Sequence, residues 1–218
     1  MKKTFLLSCL MLAAMPVMAA YTGRVYVDKN KNGVFDPGEK TWAGIKVSDG
    51  LNVVETAADG SFTLPGHERE RFIFITTPSG YKTFNRHYHK IEEKQSGYDF
   101  GLMPYSGRIR KDGSHKYIHI ADTEIFNTEN HEDWVNNVRD YARNEQAAFI
   151  IHTGDICYEK GLKAHIKLMN TENMDCPVFY CIGNHDLVKG KYGEELFESI
   201  YGPVYYSFYA ANKISHNK

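Results

Sequence analysis

Two different periods divide the chain. From Thr22 to about Pro104, short β-branched and aromatic runs alternate with turn residues: Arg24–Val27, Ile45–Val47, Asn52–Thr56, Ser61–Leu64, Arg71–Ile75 and Tyr98–Leu102. Runs of this length bounded by glycine and aspartate predict strands, and Asp49-Gly50 and Asp59-Gly60 predict hairpins between them. Residues 21–104 therefore read as a small N-terminal antiparallel β-sandwich of Ig-like type. After Lys116 the period changes. Apolar runs over 117–121, 148–152 and 178–182 interleave with amphipathic segments. His131–Gln146 predicts a helix with Trp134, Val138 and Tyr141 on one face, Glu159–Asn173 a second and Tyr192–Ile200 a third. Strands and helices in that alternation predict a parallel sheet with crossover connections over 116–218. Residues 105–115, with two glycines and three basic residues, read as the linker.

Composition narrows the class. The chain has 218 residues and 42% apolar content, ordinary for two modest globular domains. Residues 1–20 read as a secretory signal: Lys2 and Lys3 open it, Phe5–Met15 is the apolar stretch, and cleavage falls near Ala19 or Ala20. That stretch is too short to span a bilayer. The expected location is secreted or periplasmic. Removing Lys2 and Lys3 takes the formal charge from -1 to -3, since the segment holds no acid. So weak a balance gives no electrostatic case for nucleic acid or a membrane surface as partner. Cys157, Cys176 and Cys181 remain, an odd count, and a strand between the last two keeps them too far apart to bridge.

The candidate chemistry lies at the ends of the three later strands. Asp122 closes the first run, Gly154-Asp155 follows the second, and Gly183-Asn184-His185-Asp186 follows the third. Open α/β sheets place their sites at these strand ends. Any one element alone is a common turn or polar loop; the ordered set is specific. Over Lys116 to about Tyr209 the chain resembles the calcineurin-like metallophosphoesterases, in the secreted form with an N-terminal sandwich. That resemblance implies metal-dependent hydrolysis of phosphoric esters, either small molecules or surface groups. Two divalent ions (Mn, Mg, Fe or Zn) would supply a nucleophilic hydroxide and neutralise phosphoryl charge. Asp155 would bridge them, Asp122 would hold the first and the Asn184 amide oxygen the second. His185 would hydrogen-bond the phosphoryl group or protonate the leaving oxygen, with Asp186 orienting its ring.

Two departures qualify the resemblance. The family's opening Asp-any-His is Asp122-Thr123-Glu124 here. Glu124 either replaces the imidazole as a ligand, which favours harder ions, or hydrogen-bonds a metal water. The family's later metal-binding histidines have no counterpart, because His216 is the only histidine after His185 and sits in a polar tail. A parallel sheet also needs apolar cover on both faces. The expectation is an incomplete α/β domain, a βαβαβ half of a sheet sandwich, truncated or frame-shifted. It would leave an exposed apolar patch and little turnover. A competing function is a non-catalytic surface module carrying a relic phosphatase domain.

A second candidate cation site lies in the sandwich. Asp28 to Glu39 fits the twelve-residue calcium-loop pattern, with Asp28, Asn30, Asn32, Asp36 and Glu39 as side-chain ligands, Val34 offering its carbonyl and Gly33 at the turn. Its flanks are β-like, so an ordinary EF-hand is excluded; Ca²⁺ or a plain polar hairpin loop are the alternatives. Arg86–Lys90, with two histidines, reads as surface, and His119 and His152 as hydrogen-bonded core or inter-sheet residues.

Overall fold

The computed structural model describes residues 20–67, 70–95, 97–105, 108, 110–129 and 131–210. The segment before Ala20, read above as a secretory signal, and His216 lie outside the described residues. Eight strands form the first domain: β1 (Ala20–Val27), β2 (Lys46–Ser48), β3 (Val53–Glu55), β4 (Ser61–Pro65), β5 (Phe72–Ile75), β6 (Tyr81–Thr83), β7 (Tyr88–Lys90) and β8 (Phe100–Pro104). They make two four-stranded sheets, ordered β4-β1-β8-β6 and β3-β2-β5-β7.

Alternation places the core between the sheets. On β4, Phe62 and Leu64 point inward while Thr63 and Pro65 face solvent, and Val25, Val47, Ile73, Ile75, Phe100 and Leu102 complete the layer. β5 reads Phe-Ile-Phe-Ile because both its faces are covered: Ile73 and Ile75 meet this core, and Phe72 and Phe74 pack with Tyr88 and Tyr206 on the other side.

The sandwich is not wholly antiparallel. β1 runs parallel to β8, with Val25 opposite Phe100 and Val27 opposite Leu102. No tight turn has to join these two strands, since the rest of the sandwich lies between them, so antiparallel geometry is not imposed. Asp49-Gly50 does turn β2 into its antiparallel partner β3. Asp59-Gly60 does not make a hairpin: β3 pairs with β2 and β4 with β1, so this turn carries the chain from one sheet to the other. β6 and β7 escaped prediction, being three-residue strands of mixed polarity.

The second domain is β9 (Lys116–Ile120), α1 (Glu132–Asn144), β10 (Ala147–His152), α2 (Tyr158–Leu168), β11 (Val178–Tyr180) and α3 (Glu195–Tyr201). The sheet is parallel with order β11-β10-β9, the predicted βαβαβ unit. On one face, Val135 and Ala142 of α1 and Ala164 of α2 pack with Ile118, Ile150 and Val178. α1 buries the stripe from Val135 to Ala142 and leaves Tyr141, expected on that face, 59% exposed. α2 stops at Leu168 because Met169 turns extended and the Asn170 side chain accepts the amides of Glu172 and Asn173.

The opposite face is not the bare patch expected. Phe149 and Phe179 are 9% and 6% exposed, with Tyr206, Phe208 and Ala210 laid over them. Phe208 stacks on Phe179 at 3.7 Å and 3°. The same segment reaches the sandwich, where the Tyr209 amide donates to the Thr77 carbonyl and Thr76 shares a hydrogen bond with Ser207. Arg71 adds ion pairs to Glu194 and Glu198. Between the domains lies a cleft of about 610 Å³ lined in part by Phe84, Tyr88, Phe100 and Tyr180. In the stretch expected to be a linker, Arg108 donates to the Ala147 carbonyl and pairs with Asp175.

Candidate metal centre

Parallel strands in one sheet end on one edge, so the loops after β9, β10 and β11 are neighbours. Asp122, Asp155 and Asn184 each sit a few residues past their strand, the last opening a single 3-10 turn over Asn184–Asp186. The Asp122 amide donates to the Gly154 carbonyl at 3.1 Å, and the His185 amide donates to Asp155 Oδ1 at 3.1 Å. Gly154 and Gly183 let these loops touch. A Cβ on Gly154, whose φ is +100°, would lie 2.3 Å from the Gly183 nitrogen, and one on Gly183 would lie 2.2 Å from Asp155.

Backbone strain collects here. Of eight non-glycine residues with positive φ among the described residues, five are Asp122, Glu124, Asp155, Cys157 and Tyr158. Such conformations cost about 1–3 kcal/mol each and persist where the surroundings over-determine them. Two buried side chains do that here. Asp186, fully buried, accepts the Cys157 amide on Oδ1 and the Gly183 amide on Oδ2, both at 2.9 Å. It fastens one loop to the other. The His185 ring lies nearly parallel to that of Tyr158, with centroids 5.8 Å apart and 10° between the planes.

His152 is the second fastener. Its Nδ1 accepts the Gly154 amide at 3.1 Å, so the proton sits on Nε2, which donates to Thr123 Oγ1 at 3.0 Å. Burial, with a smaller contribution from His119, pushes its pKa down to about 4. His119, expected as a hydrogen-bonded core or inter-sheet residue, is hydrogen-bonded to Thr153 at 2.8 Å but exposed on the outer strand β9.

One oxygen, one sulfur and one nitrogen converge among these loops: the Glu124 carboxylate, Cys157 Sγ and a His185 ring nitrogen lie within 4.8 Å of one another. Cys157 was not singled out from sequence; its position two residues after Asp155, in the loop after β10, was the available signal. Burial and the carboxylates of Glu124, Asp186 and Asp155 raise its thiol pKa. Among the described residues, no lysine or arginine pairs with Asp122, Glu124, Asp155 or Asp186. The carboxylate of Glu124, the thiol of Cys157 and the imidazole of His185 together make a donor set that fits a divalent cation.

The twelve-residue loop after β1 closes on itself. Asp28, fully buried, accepts the Asn32 and Gly33 amides at 3.2 and 2.9 Å, and Glu39 accepts those of Lys29 and Asp36 at 2.8 and 3.1 Å. Asn30 and Asn32 both donate to Asp36 Oδ2, which lowers its pKa. Cys157, Cys176 and Cys181 are all free, as expected.

Comparison with known families agrees with both halves of the molecule. A family model described as the N terminal of calcineurin-like phosphoesterase matches residues 29–105, and one described as calcineurin-like phosphoesterase matches residues 115–216. No individual protein of curated function matches the chain significantly. With its two matched segments laid end to end, the chain belongs to the calcineurin-like metallophosphoesterase superfamily.

Proposed function

We propose that this protein is a secreted or periplasmic phosphoesterase whose metal ions are held between the loops after β9, β10 and β11. The observation that carries this reading is the fastening of the Asp122, Asp155 and Asn184 loops through the Asp122–Gly154 and Asp155–His185 hydrogen bonds. Asp155 is the shared ligand, Asp122 holds one ion and the Asn184 amide oxygen the other. Glu124 serves the Asp122 side. Once bound, the ions supply Lewis-acid neutralisation of phosphoryl charge and activation of the attacking water. His185, its ring nearly parallel to that of Tyr158, faces the transferring group and delivers a hydrogen bond or a proton to the leaving oxygen. The uncompensated carboxylates draw cations and repel a phosphate that arrives without them.

Hydrolysis of a chromogenic phosphodiester and phosphomonoester with added Mn²⁺ is the test, run beside equilibrium dialysis of the metal. Turnover and Mn²⁺ uptake are expected to fall together in Asp155→Ala. Equal turnover and equal uptake in that variant would sink the reading.

In the sandwich, the loop from Asp28 to Glu39 is proposed to take Ca²⁺. A specific observation favours it: the buried Tyr26 hydroxyl has no hydrogen-bond partner and lies in the field of Asp28, Glu39 and Asp36. Among the described residues no cationic side chain pairs with these carboxylates. Millimolar Ca²⁺ is expected to raise the Tm of the whole chain and not that of Asp28→Ala. A wild-type Tm indifferent to Ca²⁺ rules the site out.

A further inference from the structure

The proposed metal centre contains a sulfur that neither the sequence pattern nor the family comparison assigns. We infer that Cys157 is a metal ligand, acting with Glu124 and His185, and that it turns the centre toward thiophilic borderline ions such as Zn²⁺ or Co²⁺ rather than Mg²⁺ or Mn²⁺. This rests on the reading of the strand-end loops as a metal site and adds two donors to it, Cys157 Sγ and one His185 ring nitrogen, leaving the other ring nitrogen to serve the leaving oxygen.

Three observations place the thiol there. Its Sγ, a Glu124 carboxylate oxygen and a His185 ring nitrogen lie within 4.8 Å of one another, a spacing that one ion can span with metal–sulfur and metal–nitrogen bonds of about 2.3 and 2.0 Å. The backbone of Cys157 is held at φ 92°, outside the range an ordinary buried cysteine needs, by the Asp186 carboxylate on its amide. Finally, Cys157 is 1% exposed, so the sulfur that neighbours Glu124 and His185 is screened from solvent.

The inference accounts for Glu124. Replacing an imidazole by a carboxylate hardens a site, and a thiolate softens it again, so the pair restores a mixed donor set. The bond that forms is metal to sulfur; the thiol proton leaves to solvent.

Co²⁺ titration of the purified chain tests this without reference to turnover. Wild-type protein is expected to bind Co²⁺ with a thiolate-to-cobalt charge-transfer band, and Cys157→Ser is expected to lose the band. Its preference for Zn²⁺ over Mn²⁺ should fall by about tenfold or more. Should Cys157→Ser fail to fold, Cys9→Ala/Cys176→Ala/Cys181→Ala leaves Cys157 as the only cysteine and must keep the band. Stoichiometric Co²⁺ uptake without the band, or a band that survives in Cys157→Ser, overturns the cysteine ligand and leaves the phosphoesterase reading standing. No Co²⁺, Zn²⁺ or Mn²⁺ uptake at all by dialysis overturns both.

Discussion

Single buried side chains hold the site in shape, and their protonation sets how the molecule tolerates acid. His152 and His165 are both fully buried; burial pushes the first down to about 4 and the second well below its ordinary value. A histidine whose folded pKa lies below the unfolded value of about 6.5 binds its proton only after unfolding. Stability is therefore complete above about pH 6.5 and drains away toward pH 4. For His152 the loss is roughly 3 kcal/mol over that window. Urea midpoints between pH 7 and 4.5 should fall, and His152→Gln should flatten the slope; a midpoint indifferent to pH would refute the assignment. At this scale the sequence disclosed identities better than roles. Asp122, Asp155 and Asn184 stood out because a carboxylate or amide after an apolar run is visible in one dimension. That Asp186 grips two amides from separate loops was not visible, because both bonds depend on how Gly183 meets the loop after β10.

Elements were legible wherever an apolar period was long. The three parallel strands and their two crossover helices emerged within a few residues, since buried parallel strands leave nearly unbroken apolar runs. β6 and β7 were hidden by brevity, and the Asp59-Gly60 turn misled because a turn signal does not say which strands flank it in the sheet. The touching of the strand-end loops is the element-scale feature on which the site depends. Gly154→Ala should be severe: its Cβ would collide with the Gly183 backbone, and its φ of +100° suits no side chain. A loss of about 3 kcal/mol or more is expected in chemical denaturation, together with weaker Mn²⁺ uptake. A fully stable Gly154→Ala with normal uptake would show that the loops have room to part.

For the whole molecule, the segment 206–210 decides whether two domains behave as one. Phe208 stacks on the sheet, Tyr206 fills the space between Phe179 and the Phe72, Phe74 and Tyr88 cluster, and Tyr209 bonds the sandwich backbone. Phe208→Ala should cost about 2 kcal/mol, below the usual range for a fully buried phenylalanine because this ring is only partly buried. One thermal transition should separate into two, with hydrophobic dye binding at the uncovered Phe149 and Phe179. A single unshifted transition would show that Arg71 and its acidic partners join the domains unaided. Neither period in the sequence announced this clasp, whose aromatic residues follow the last helix and belong to no repeat.

The clasp also orders events in time. Its residues leave the ribosome after every strand and helix that they fasten, so the sandwich must fold and wait beside a growing parallel sheet. Until Phe208 arrives, Phe149 and Phe179 are open to any passing chaperone, and a pause in translation between Tyr201 and Tyr206 would prolong that exposure.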